Sequence, residues 1–354
     1  ITPTKQVICV AEFLRDCRLI LSMSFAALVM FDVMTGAVIR TFDDLRGPGA
    51  ISADWRVLVG RSWTRPPIPE KSPQGSEAGS LARSAHPFST KIVEFESGRV
   101  LKRLEGYGDP VTDVSWAPNG RSLLTVQPSP GAVVWDIETG SMRSFPVGLD
   151  CVTTAAAFSP DGQRIAVVGS KVDDFSLMIR LFDVETSAEL SQLMNCPEKV
   201  TPGGSVAFSP DGRFVAVEAY RRTDSLNLDE RIGGAVLWDI ASGSVTVFMG
   251  HIGALPISVA ISLDASRVLT CDSRGVACHW DAHSGHELRR VHVGAARASY
   301  SPDGRFILTA GRLGPRLHDV ASGAEVTRFQ PDVTCSGPCR GVSAAYSPDG
   351  RSVV

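Results

Sequence analysis

Four histidines, two acidic pairs and one close cysteine pair are the groups in this 354-residue chain best suited to chemistry. His279, His283, His286 and His292 would suit a zinc or copper site if the fold converged them. His279, however, falls in an alternating run in which it points away from Trp280. His283 and His286 flank a turn, and His292 lies beyond the next run, so the expectation is that the imidazoles stay apart. Asp173-Asp174 and Asp229-Glu230 have the pairing of a general acid and base, but both stand in polar segments, where solvated loop carboxylates are expected. Cys335 and Cys339 have the spacing of half a zinc site with no second pair nearby, and read as loop residues. Most of the other cysteines, Cys9, Cys17, Cys151, Cys196, Cys271 and Cys278, read as small buried hydrophobes.

No phosphate-binding glycine loop, zinc helix, nucleophile elbow or calcium loop occurs anywhere. The expectation is a chain with no catalytic residue, no cofactor and no metal. Binding groups are easier to nominate. Arg221, Arg222 and Arg231 flank Asp229 in one mixed-charge segment, which suits selection of a partner by electrostatic complementarity. Trp63, between Arg61 and Arg65, is the candidate anchor, because Trp and Arg dominate interface energetics. Asp173 and Asp174 complete the candidate partner-binding set.

Composition narrows the scaffold. With 44% hydrophobic and 21% charged residues the chain is globular, and 33 glycines with 22 prolines favour many short strands joined by tight turns. A net charge of −3 supplies no cationic surplus for a phosphate backbone, so nucleic acid is not the expected partner. No apolar run approaches the roughly 20 residues of a bilayer span, so no membrane association is expected either.

Self-similarity decides the architecture. An apolar run ending in aromatic plus acid recurs, closing at Asp32, Glu96, Asp136, Asp183, Asp239, Asp281 and Asp319, and it is usually followed by a small turn with glycine. A second marker, Ser-Pro-Asp-Gly, follows Phe158, Phe208, Tyr300 and Tyr346, with a variant after Trp116 and a worn copy after Ile261. Pro presets φ and Asp-Gly closes the turn, so each copy predicts a β-hairpin. Together the markers define a unit of four strands, a to d, with Ser-Pro-Asp-Gly between a and b and the aromatic-acid pair ending c. The prediction is an all-β fold: a β-propeller of four-stranded antiparallel blades, seven complete plus the start of an eighth. The approximate blades are 1–44, 45–105, 106–146, 147–194, 195–249, 250–292 and 293–330, with 331–354 beginning the eighth.

These two markers, in fixed order over nearly the whole chain, resemble the WD-repeat β-propeller family. Blades of that family often add Gly-His before strand a and an Asp six residues before the Trp, in a polar network. Only Gly250-His251 keeps the dipeptide, while Ser129, Ile232 and Arg274 stand six residues before Trp135, Trp238 and Trp280. Blades held mostly by apolar packing are therefore expected. The resemblance implies a non-catalytic scaffold that binds a protein or peptide partner, as a monomeric module of a longer cytoplasmic chain. An enzymatic, hydrolase-like or small-ligand-binding propeller would instead show inward-pointing titratable groups from several blades around the channel.

The chain starts at Ile1 and stops within an eighth unit, so a fragment is expected. Departures from the period are one-sided. A Pro/Ser-rich insertion at 61–88, Arg221–Arg231 and Lys171–Asp174 all interrupt b-to-c connections, on the rim shared with the d-to-a links. That rim is the candidate binding face, because loops on a rigid scaffold concentrate binding groups. Since such loops add little to the core, deleting residues 65–85 should leave the thermal unfolding midpoint within a few degrees of wild type. Calorimetry checks this, and loss of folding would overturn the blade assignment.

Overall fold

The computed structural model describes residues 10–14, 19–23, 28–32, 37–42, 45–51, 57–63, 88–94, 97–104, 111–129, 131–148, 150–193, 196–221, 231–301, 303–311 and 316–328. These residues form seven four-stranded antiparallel sheets, each made of four consecutive strands in spatial order a-b-c-d. The eighth unit and the Cys335/Cys339 pair lie outside the described residues. In the first sheet strand a is Val10–Leu14 and strand b is Leu19–Met23.

Strand b carries a run of apolar residues because both its faces are covered, as in Ile165 to Val168 and Val215 to Val217, all fully buried. The a-b turn is set by its serine. The hydroxyls of Ser159, Ser209 and Ser301 donate to Asp161, Asp211 and Asp303 at 2.5 Å and accept the N–H of Arg164, Phe214 and Phe306 at 2.9 Å. Gly162, Gly212 and Gly304 supply the positive φ of 69°, 68° and 70°, whereas the worn copy forces Ala265 to 55°. Proline in this motif is thus one part of a turn closed mainly by Ser and Asp.

The acid ending strand c caps the next turn. Asp136, Asp183, Asp281 and Asp319 accept the N–H of Thr139, Thr186, Ser284 and Ser322 at 2.6–2.7 Å. In the second sheet this position belongs to Glu94 rather than Glu96. Strand c ends at Glu94, which accepts from the Ser97 hydroxyl, and Gly98 N–H returns to the Glu94 carbonyl just as Gly140 N–H returns to that of Asp136. The acid-to-glycine distance, not the neighbouring aromatic, fixes the register.

The cores lie between sheets, not within them. Val59, Ile92, Leu123 and Trp135 join the second and third, and Ile179, Leu193, Val217 and Trp238 join the fourth and fifth. Polar side chains add clamps along the outside. From strand d of one sheet, Arg143 Nη1 donates to the Val184 carbonyl at 3.3 Å and Arg289 Nη2 to that of Ala321 at 3.3 Å, each in the c-d turn of the next sheet. Arg40 and Lys102 lean onto Gly98 and Gly140 in the same way.

Strand d itself carries a repeated irregularity. In the first, second, fourth, sixth and seventh sheets one extra residue, Ile39, Leu101, Leu190, Leu288 or Val326, interrupts its pairing with strand c. All five are exposed.

A polar network, not packing alone, supports the sixth sheet. His251 Nδ1 meets Asp272 Oδ2 at 2.8 Å, His251 Nε2 meets Thr270 Oγ1 at 2.7 Å, and Trp280 Nε1 donates to the same hydroxyl at 2.8 Å. The acid is Asp272, at the end of strand b, instead of the residue six before the Trp, because strand pairing sets its distance from Trp280. The third sheet keeps a remnant, Trp135 Nε1 to Thr125 Oγ1 at 3.0 Å.

In the seventh sheet His318 takes the Trp position, opposite Ile307, with Thr309 placed as Thr125 and Thr270 are. Thr309 repeats the bond of Thr125 to a strand c carbonyl, but neither His318 nitrogen has a hydrogen-bond partner, and a cavity of about 10 Å³ lies beside it. Burial holds the His318 pKa below the ordinary value of 6.5, so the folded state favours neutral imidazole. Stability is then full above pH 6.5 and falls as pH drops below it. His318→Trp should fill the cavity, restore the indole-to-Thr309 bond and raise stability by about 1–3 kcal/mol. Urea unfolding should show that advantage widening from pH 7 to pH 5.

Candidate functional site

The candidate residues distribute unevenly over the rim. Asp173 and Asp174 lie exposed in the b-c turn of the fourth sheet. Hydrogen bonds from Ser176, with Lys171 and Lys199 nearby, hold the Asp174 carboxyl below its ordinary range. Lys199 belongs to the d-a link that enters the fifth sheet, and its neighbour Glu198 pairs with Arg221 Nη2. One stretch of rim therefore runs from Asp174 through Glu198 and Lys199 to Arg221. Arg221 closes strand b of the fifth sheet, Phe214–Arg221, and its partner is already inside the chain. Arg231 sits at the other end of that connection, its guanidinium 5.8 Å from the Tyr220 ring centre.

Arg61 and Trp63 are not insertion residues. They end strand b of the second sheet, Val57–Trp63, paired with Thr90 and Phe88 of strand c. Arg65, Arg222, Asp229 and residues 64–87 lie outside the described residues. His292 closes strand d, Glu287–His292, one element earlier than its expected place. His279 is buried, with its pKa lowered to about 4 by desolvation, while His283 and His286 flank the c-d turn. Among the described residues no group of three His, Cys, Asp or Glu could hold a metal ion, and no helix is long and apolar enough to cross a membrane.

Features that the spacing did not reveal complete this face. Phe175, in the same turn as Asp174, has a φ of 59° and is 45% exposed; Val172 and Val152 beside it are also exposed. A bulky residue in left-handed backbone is strained, and such strain concentrates where side chains are aimed for use. Ile252, which ends strand d of the fifth sheet, and Leu255, on the connection to the sixth, are exposed. Among the described turns of the opposite rim, Leu263 is the large apolar residue left exposed.

A second cluster lies on the innermost strands. Among the described residues strand a is only partly covered, although it packs on the next strand a between the second and third sheets and from the fourth sheet to the seventh, which marks a water-reached inner surface. Asp113 opens strand a of the third sheet, Arg297 lies on strand a of the seventh, and Glu218 lies on strand b of the fifth. Arg297 acts electrostatically on both carboxylates, so sheets far apart in the chain face one another here. Desolvation still outweighs that attraction, raising the Asp113 pKa and pushing Glu218 up to about 7. Glu218 was legible as the one acid in its strand b, directly after Val215, Ala216 and Val217 and before Ala219.

Residues 98–136 match the family model for the WD domain, G-beta repeat. A stretch of 86 residues, 24% of the chain, is 33% identical to the Periodic tryptophan protein 2 homolog of Neurospora crassa and spans 10% of that protein. Over 227 residues, 63% of the chain, it is 24% identical to Autophagy-related protein 16 of Arabidopsis thaliana, spanning 39% of it. The chain thus covers well under half the length of these curated relatives.

Glu218 gives a stability signature. Its folded pKa near 7 stands above the ordinary 4.5, so folding favours the protonated acid. Its contribution is full below pH 4.5, is lost as pH rises towards 7, and the penalty is constant above, at roughly 3 kcal/mol. Glu218→Gln, which mimics the neutral acid, should unfold at higher denaturant than wild type at pH 8, with the two converging at pH 4.5.

The recurring four-stranded sheet, its two turn signatures and the repeat matched at residues 98–136 make the chain similar to WD-repeat β-propeller proteins, with degenerate repeats.

Proposed function

We propose that the chain is a non-catalytic scaffold that binds a protein or peptide partner on the rim formed by the b-c and d-a connections. The observation that carries this reading is the exposed Phe175, held in left-handed backbone in the b-c turn of the fourth sheet beside exposed Val172. Val152, Val172, Phe175, Ile252 and Leu255 occupy that rim, interleaved with Asp173, Asp174 and Arg231. Apolar anchors ringed by polar groups are the usual make-up of an interface, and large exposed apolar side chains otherwise cost solubility. The WD-repeat character supports it, as does similarity to Autophagy-related protein 16 over most of the chain.

A photo-crosslinking amino acid at position 175, introduced into the full-length protein in its source cells, should capture a discrete protein. The same group at position 263, on the opposite rim, should not. Capture at 263 alone would overturn the assignment. Phe175→Gly relieves the left-handed strain of about 1–2 kcal/mol, so it should keep or raise thermal stability while losing the partner.

A further inference from the structure

The inner surface holds a charge imbalance that the chain itself does not settle. Glu218 Oε2 accepts the Gly204 N–H at 3.2 Å and the Ser205 hydroxyl lies towards the same carboxylate, while Oε1 is buried without a well-formed hydrogen bond. A Cβ on Gly203 would lie 2.5 Å from Oε2, so glycine is what lets strand a cross the carboxylate. At Gly204 the space a side chain would fill is open, the residue is exposed, and the pairing register breaks between Pro202 and Val206. Asp113 reaches the same inner surface exposed, accepting only its neighbour's N–H at 2.9 Å among the described contacts. Arg297 supplies one positive charge for these two carboxylates.

We propose that this inner opening is a binding site for a cationic side chain, an arginine or lysine presented by a partner, which passes Gly204 and donates to the orphan Glu218 oxygen. A neutral donor would satisfy the hydrogen bond but leave the charge unmatched, and an anion would meet two carboxylates for one guanidinium. The site deepens the partner-binding reading by naming what the partner inserts, and it is testable without the partner.

The groups facing Glu218 are Gly204 and Ser205 from strand a, Cys271 from the sixth sheet and Arg297 from the seventh. Glu218 must be ionised to receive the cation. With its pKa near 7, the ionised fraction climbs from about a tenth at pH 6 to about nine tenths at pH 8, so apparent affinity should rise about ninefold.

N-acetyl-arginine methylamide is the probe, titrated into the whole chain while the Gly204 backbone amide is followed by NMR. A saturable shift is expected, tighter at pH 8 than at pH 6 and lost in Glu218→Gln. Arg297→Ala, which removes the internal competitor, should tighten binding. The citrulline analogue, equal in shape and uncharged, should leave Gly204 unmoved. An equal response to citrulline, an unchanged response in Glu218→Gln, loss of binding in Arg297→Ala, or no shift at the highest soluble concentration would each sink the proposal. Capture at position 175 is independent of all four outcomes, so failure here leaves the rim assignment standing, and failure of the rim leaves this site standing.

Discussion

A four-stranded sheet with two apolar faces has no way to cover itself, and that constraint organises the molecule. Among the described residues strands b and c are largely buried because the neighbouring sheets supply the missing cover, so each of these cores is shared between two units. Leu124 and Val134 of the third sheet close on Ile165 and Val167 of the fourth, and Leu237 and Phe248 of the fifth close on Val268 and Trp280 of the sixth. Stability is therefore a property of interfaces, and a weak residue in one sheet is felt in the next. The strand d clamps act on the same boundary, since Arg143 and Arg289 reach across it to carbonyls of the following turn.

Where the polar network survives, it does a different job from the apolar cores. The His251, Asp272, Thr270 and Trp280 chain satisfies every buried polar group it contains, fixing one rotamer for each. The fifth sheet dispenses with it, having Val217 and Ala219 where the sixth has Thr270 and Asp272, and its Trp238 is held by packing. The seventh stands between these solutions, with the hydroxyl retained and the indole replaced.

Much of the architecture was legible because turn chemistry is local. Ser-Pro-Asp-Gly and the acid-to-glycine spacing are closed by bonds within a few residues, so their copies could be counted. Misreadings arose where a distance depends on pairing across strands. Glu96 drew attention through the aromatic before it, though Glu94 holds the turn; Asp272 was missed because a fixed offset from Trp280 replaced the register between their strands. Trp63 looked like a loop residue from the prolines that follow it, while its own strand continued. The inner trio was beyond reach, since Asp113, Glu218 and Arg297 are brought together only by the packing of non-consecutive sheets.

The extra residues in strand d bear on how another molecule can approach. An outermost strand ordinarily offers a row of unpaired N–H and C=O groups, and an extended peptide can join the sheet by continuing the ladder. Ile39, Leu101, Leu190, Leu288 and Val326 break that row near the start of five such strands and twist the edge out of line. Strand addition is thereby hindered where those five strands begin, and neighbouring copies of the protein meet the same interruption. There the molecule is left to be read by side chains instead of backbone.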